Sequence, residues 1–169
     1  MADFHTLRIA ALDRLTEDAL AVTFAVPEEL VGAYAFLPGQ HLTLRRWFDD
    51  QEVRRTYSVC AAGGGPLRVA VKRLDDGLMS TWLNTELKVG YELDVLTPLG
   101  SFGPREALGD KRIGLLGAGS GITPLLSIAA TALGAGASVV LLYGNRTSGE
   151  VMFVEELADL KDVYPQRFQ

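Results

Sequence analysis

The chain has 169 residues, of which 48% are hydrophobic and 22% charged; this is a globular composition, long enough for one ordinary domain or two small ones with a buried core. A net charge of −5 argues against a general nucleic-acid binder, which needs a basic surface. The single cysteine, Cys60, excludes an internal disulfide framework and an all-cysteine metal or iron–sulfur site within this chain.

Residues 1–5 show no basic-then-apolar signal pattern, and we expect a soluble cytoplasmic protein. Two strand-like runs open the chain, residues 6–12 and 19–26, joined by a polar turn. Pro38-Gly39 marks a second turn, because proline fixes φ and glycine accepts a positive one. A third strand follows over 41–44; His41 has no carboxylate or nucleophile near it in sequence and receives no role.

The stretch Arg54-Arg55-Thr56-Tyr57-Ser58-Val59-Cys60 reads as a fourth strand. Alternation puts Arg55, Tyr57 and Val59 on one face and Thr56, Ser58 and Cys60 on the other. One face then offers a planar cation beside an aromatic ring, a set suited to holding a phosphate and a ring system together. A sheet edge with solvated arginines and a packed tyrosine is the ordinary alternative. Seven of the 16 Lys and Arg residues lie between Arg45 and Arg73, against three acids, and this local excess suits a small anionic ligand.

Strands over 67–73 and 91–96 complete a set of six with hairpin-length gaps, which implies an antiparallel barrel or sandwich. Between them, residues 78–85 carry a helical pattern. Its first turn is small and uncharged, so N–H groups near Met79 and Ser80 are available to an anion, with Lys72 and Arg73 close by in sequence. The alternative is a helix that plugs the barrel, capped by Asp76; the two readings are compatible.

A composition shift over 100–111 places a domain boundary near Leu108, giving domains 1–107 and 108–169. Residues 112–116 then read as a buried strand. A Gly-rich turn leads into a helix over 124–133, with Thr123 as its cap and Pro124 at the favoured first position. A second strand spans 138–143, so this is a βαβ unit. It explains why residues 113–145 carry no charge, better than a membrane span would. The turn is neither a P-loop nor the usual Gly-x-Gly-x-x-Gly. Arg146, past the second strand, suits a ribose 2′-phosphate and hints at NADPH over NADH; a plain surface arginine is the alternative. A last helix is predicted over 150–162.

Pro38-Gly39-Gln40, Arg55-Thr56-Tyr57-Ser58, Gly77-Leu78-Met79-Ser80, Gly119-Ser120-Gly121-Ile122-Thr123-Pro124 and Tyr143-Gly144-Asn145-Arg146 occur in that order. Together they resemble the ferredoxin–NADP reductase superfamily, and within it the oxygenase reductases. The resemblance implies a six-stranded antiparallel Greek-key FAD-binding barrel with a capping helix, followed by part of a parallel α/β domain for NADP(H) or NAD(H). It further implies Arg55 on the FAD pyrophosphate, Tyr57 stacked on the isoalloxazine and Ser58 near flavin N5. Val71, Lys72, Arg73, Gly77, Met79 and Ser80 would complete the flavin site. Gly119, Ser120, Gly121 and Thr123 would line the nicotinamide-nucleotide groove. The implied chemistry is hydride transfer from nicotinamide to flavin, then electron export to a protein acceptor of the oxygenase type. No acid–base pair is needed, and none is visible. The chain stops at Gln169, short of the family's later strands, its Cys-Gly-Pro segment and the [2Fe–2S] domain of the oxygenase reductases, which implies a truncated form. A non-catalytic flavin- or nucleotide-binding or adaptor module is the competing reading.

Overall fold

The computed structural model describes residues 3–104 and 108–169. The boundary expected at 107/108 borders residues 105–107, which lie outside the described residues. β1 (Phe4–Thr16), β2 (Ala19–Ala25), β3 (His41–Phe48), β4 (Gln51–Ser58), β5 (Arg68–Lys72) and β6 (Glu92–Leu96) form an antiparallel sheet in the order β4-β3-β6-β1-β2-β5. Leu7, Ile9, Val22, Leu42, Leu44, Val69, Val71, Leu93 and Val95 point inward and fill one core, as period-two patterning requires. The two ends of the sheet meet at the Val59–Val69 bridge, beside which the Cys60 N–H donates to the Arg68 carbonyl at 2.9 Å. Helix α1 (Leu78–Thr85) closes the remaining opening, burying Met79, Trp82 and Leu83. It is therefore the expected barrel plug.

The second half is a parallel pair, β7 (Arg112–Ala118) and β8 (Ser138–Gly144), crossed over by α2 (Ile122–Gly134). The uncharged stretch of the sequence is this unit. Helix α3 (Val154–Val163) follows, and the last residues return to the sheet. Phe168 bridges Val139 in parallel, and the Leu141 N–H donates to the Gln169 carbonyl at 2.7 Å. The outer edge of β8 is thus covered at its start.

Four local expectations are corrected. The 41–44 strand runs on to Phe48 and turns through Asp49-Asp50, with Asp49 at φ 50°, a conformation that aspartate tolerates. Asp76 does not cap α1: Gly77 is the N-cap residue and no side chain caps it. Thr123 lies inside α2 rather than at its cap, because a 3₁₀ turn over Gly119–Gly121 carries the chain straight into the helix; its hydroxyl donates to the Ser120 carbonyl. α3 starts four residues late. Phe153 adopts φ 63° and buries its ring between the halves, which prevents a continuous helix from residue 150.

The halves share a core. Small residues on the outer barrel wall (Ala19, Ala21, Cys60, Ala70) receive Ile122, Leu125 and Leu126 of α2 together with Met152 and Phe153. Two ion-pair sets straddle the same joint, Lys72 with Glu150 and Arg68 with Glu156.

Candidate functional site

β4 pairs with β3 alone, in register from His41–Ser58 to Phe48–Gln51. Alternate N–H and C=O groups on its other edge therefore have no strand partner. That edge borders a groove of about 320 Å³ that runs between the two halves. Thr56, Tyr57 and Ser58 form one wall, Ala70, Lys72 and Leu74 the floor, and Ser120, Gly121, Thr123 and Pro124 the other wall. Tyr57 is half-buried and packs against the barrel core. Burial pushes its phenol up to about 12, against a smaller downward pull from Arg55, so the hydroxyl stays protonated at any working pH.

The basic cluster is less free than its sequence suggests. Arg45 pairs with Asp94, Arg54 with Glu52, and Arg68 with Asp13 and Glu156. Lys72 holds Glu150 at 2.9 Å and Asp18 at 3.5 Å. Its two anions lie far away in sequence, which is why residue order did not reveal the pairing. Among the described residues Arg46, Arg55 and Arg73 of this segment make no ion pair; Arg55 donates only to the Arg54 carbonyl, at 2.8 Å. The Ser80 hydroxyl is committed to its own turn, accepting from the Leu74 N–H and donating to the Gly77 carbonyl. The N–H groups of the first turn of α1 remain uncapped by any side chain. Gly77 is sterically required, since a Cβ there would run into Ser80 Oγ.

Across the groove, Gly119 takes φ 52°, and a Cβ on Gly119 or Gly121 would meet nothing within 4 Å. The space above this turn is open. Tyr143 fixes the turn from below: its hydroxyl donates to the Gly119 carbonyl at 3.0 Å and accepts from the Met152 N–H at 3.3 Å. Arg146 stands 84% exposed, with one nitrogen 3.2 Å from Glu150.

The family model for the oxidoreductase FAD-binding domain matches residues 6–103, well over half of the chain. This chain belongs to that family. The model for the oxidoreductase NAD-binding domain matches residues 115–169. Among curated proteins, a component of the 1,2-phenylacetyl-CoA epoxidase of Escherichia coli is 46% identical, with all of this chain aligned to 49% of that protein. The ferredoxin reductase component of 3-ketosteroid-9-alpha-monooxygenase from Rhodococcus rhodochrous is 43% identical over 95% of this chain and 46% of its own length. The chain spans about half the length of these curated relatives. Among solved structures, the flavohem-like FAD/NAD-binding domain of nitric oxide dioxygenase from Vibrio cholerae superposes with a TM-score of 0.82 at 26% identity, covering 97% of this chain and 72% of that one. Barrel, plug helix and parallel unit are thus the ferredoxin–NADP reductase type of fold.

The residues of this FAD-binding family member fit a flavin dinucleotide. An aromatic face, an open strand edge, an uncapped helix start and unpaired guanidinium groups are the kinds of group that stacking, ring hydrogen bonds and diphosphate contacts would call on. Of the residues singled out from sequence, the groove brings together Tyr57, Ser58, Lys72, Ser120, Gly121 and Thr123. Val71 and Met79 instead bury their side chains in the barrel core, leaving only their main chains to offer. Arg55, Arg73, Gly77, Gly119 and Arg146 do not line this groove. Thr56, Ala70, Leu74 and Pro124 do, unannounced by any motif. Among the described residues no helix is long and apolar enough to cross a membrane, and no group of three or more His, Cys, Asp or Glu side chains is placed to hold a metal ion.

Proposed function

We propose that the chain is the flavin- and nicotinamide-binding portion of a reductase that takes electrons from NADPH or NADH through FAD to an oxygenase component. In this reading residues 1–107 bind FAD and residues 108–169 bind the nicotinamide nucleotide. One observation carries it: Tyr57 and Ser58 on the barrel edge face Ser120, Gly121 and Thr123 of the β7–α2 turn across a single groove. Two flat rings, one held from each side, would meet there.

When bound, FAD supplies a two-electron acceptor that can release electrons singly. The chain's task is to bind, orient and exclude water. Tyr57 presents its ring for stacking, and its neutral hydroxyl adds no charge to the groove. Ser58 and the free edge of β4 offer hydrogen bonds to the flavin's polar rim. Arg55, Arg73 and the first N–H groups of α1, including those of Met79 and Ser80, hold the diphosphate. Val71 forms the barrel wall behind the floor of the groove, and Lys72 acts as a neutralised floor residue rather than a free cation. Gly119, with Ser120, Gly121 and Thr123, leaves room for the nicotinamide end of the second nucleotide. Arg146 is the group available to a 2′-phosphate, and reaching one means leaving Glu150.

The acceptor class is supported by the names of the relatives, an epoxidase component and a monooxygenase reductase. A cytoplasmic location accords with a pyridine-nucleotide donor and a protein acceptor. The test is to load the chain with FAD and add NADPH or NADH without oxygen. Bleaching of the absorbance near ~450 nm is expected. Bound FAD that never bleaches would favour the non-catalytic module, and a protein that takes up no FAD would remove the flavin reading altogether.

A further inference from the structure

The turn over Gly119–Gly121 leads into one wall of the groove, yet little packs around it. A Cβ on Gly119 or Gly121 would meet nothing within 4 Å, and no side chain caps the turn or the start of α2. Glycine gives up more backbone freedom on folding than any other residue, so a turn built on two of them needs holding by side chains. Two hydroxyls do this. Thr123 donates to the Ser120 carbonyl at 3.0 Å, a bond within the same segment. Tyr143 donates to the Gly119 carbonyl at 3.0 Å, and it comes from the neighbouring strand β8.

The same hydroxyl has a second bond, accepting from the Met152 N–H at 3.3 Å. Met152 is fully buried, and its main-chain donor has no other partner among the described residues. A phenol offers one donor and can also accept, and Tyr143 uses both capacities. Met152 and Phe153 are seated on Ala19, Ala21, Cys60 and Ala70 of the barrel wall. Two residues earlier, Glu150 holds Lys72, which lies on the floor of the groove. One oxygen atom therefore ties the glycine turn to the segment that is fastened to the barrel.

Tyr143 makes this link without lining the groove. It pairs with Gly117 across the parallel sheet, and its ring packs into the joint alongside Leu141. Gly117 is bare for a reason: a Cβ there would come 2.5 Å from the Leu125 side chain, so α2 lies close on the sheet beside Tyr143. A phenylalanine would fill the same space and lose both bonds. We propose that Tyr143 is a positioning residue of the groove. Its hydroxyl sets how far the Gly119–Gly121 turn stands from the barrel, and so how well the groove receives the nicotinamide nucleotide. The proposal rests on the flavin–nicotinamide reading above and adds to it a residue that acts from behind the wall.

Tyr143→Phe tests the role, because it keeps the ring and removes both bonds. In calorimetric titrations of the FAD-loaded chain, NAD+ and NADP+ are added in turn. Whichever the parent binds should bind Tyr143→Phe roughly tenfold more weakly, the scale of one lost hydrogen bond. FAD affinity should match that of the parent, since the barrel contacts are untouched. Tyr143→Leu, which loses ring and hydroxyl together, should weaken the nucleotide at least as much. If Tyr143→Phe melts earlier but binds the nucleotide as the parent does, the hydroxyl merely satisfies Met152 and the proposal is overturned. Equal losses for FAD and nucleotide would also overturn it, since they would mean a general loosening of the joint. A parent chain that takes up FAD but neither NAD+ nor NADP+ overturns the nicotinamide reading, and the proposal with it.

Discussion

Arg55 and Lys72 carry the same charge near the same groove, yet their partners give them different work. Lys72 is held by two carboxylates, whereas Arg55 has only a main-chain carbonyl and makes no ion pair among the described residues. Losing a charge-assisted hydrogen bond costs about 1.5–3 kcal/mol. Arg55→Ala should therefore raise the dissociation constant for FAD about ten- to a hundredfold and that for FMN much less, as read by flavin titration. Equal losses would take the diphosphate away from Arg55. Gly77 makes a different argument, from space rather than charge. A methyl there collides with Ser80 Oγ and comes 3.1 Å from the Leu74 side chain and carbonyl, so Gly77→Ala should lower stability by about 1–3 kcal/mol and loosen flavin binding with it. An unchanged melting temperature and FAD affinity would show that the α1 start yields freely.

At the level of elements, the joint between β5 and the turn before α3 is electrostatic. The Glu150 carboxyl is held below its ordinary value of 4.5 chiefly by the hydrogen bond from Lys72, and then by Arg146. Burial pushes Asp18 upward, but the Thr16 hydroxyl and Lys72 together outweigh it and hold the carboxyl below 3.8. Carboxylates depressed on folding stabilise fully above their ordinary range, and that contribution is lost as pH falls through the folded values. Glu150→Gln should thus melt earlier than the parent at pH 7, and the difference should shrink at an acid pH below Glu150's lowered folded value, where the carboxyl is protonated. A gap of equal size at both pH values would mean that the clamp contributes through packing alone. Much of the element layout was legible from the sequence. The limits of α1 and the strand–helix–strand order were readable because turn glycines and a switch of hydrophobic period mark them locally. The Lys72–Glu150 pairing, the Arg46–Trp82 stack and the left-handed Phe153 were not, because each depends on a neighbour supplied by the fold or on a backbone state that a phenylalanine seldom adopts.

For the molecule as a whole, the two halves act as one body because the outer barrel wall is built of small residues on which α2 and the Met152–Phe153 pair settle. Cys60 lies in that layer, and burial pushes its thiol up to about 12. A thiol reagent should leave it untouched at pH 8 in the folded chain, and Met152→Ala, which hollows the joint at a cost of about 2–5 kcal/mol, should speed its modification. Rapid labelling of the parent protein would show that the halves part readily. The Arg55-x-Tyr57-Ser58 strand was legible as one wall of a site; the opposing wall depended on how the halves dock, which no local motif records. The most direct measurement of the central claim is titration of the flavin-free chain with FAD, following flavin fluorescence. The account predicts uptake of one equivalent, with emission quenched against Tyr57 and restored in Tyr57→Leu while binding persists more weakly. A chain that leaves FAD free and fully fluorescent at every concentration would contradict it.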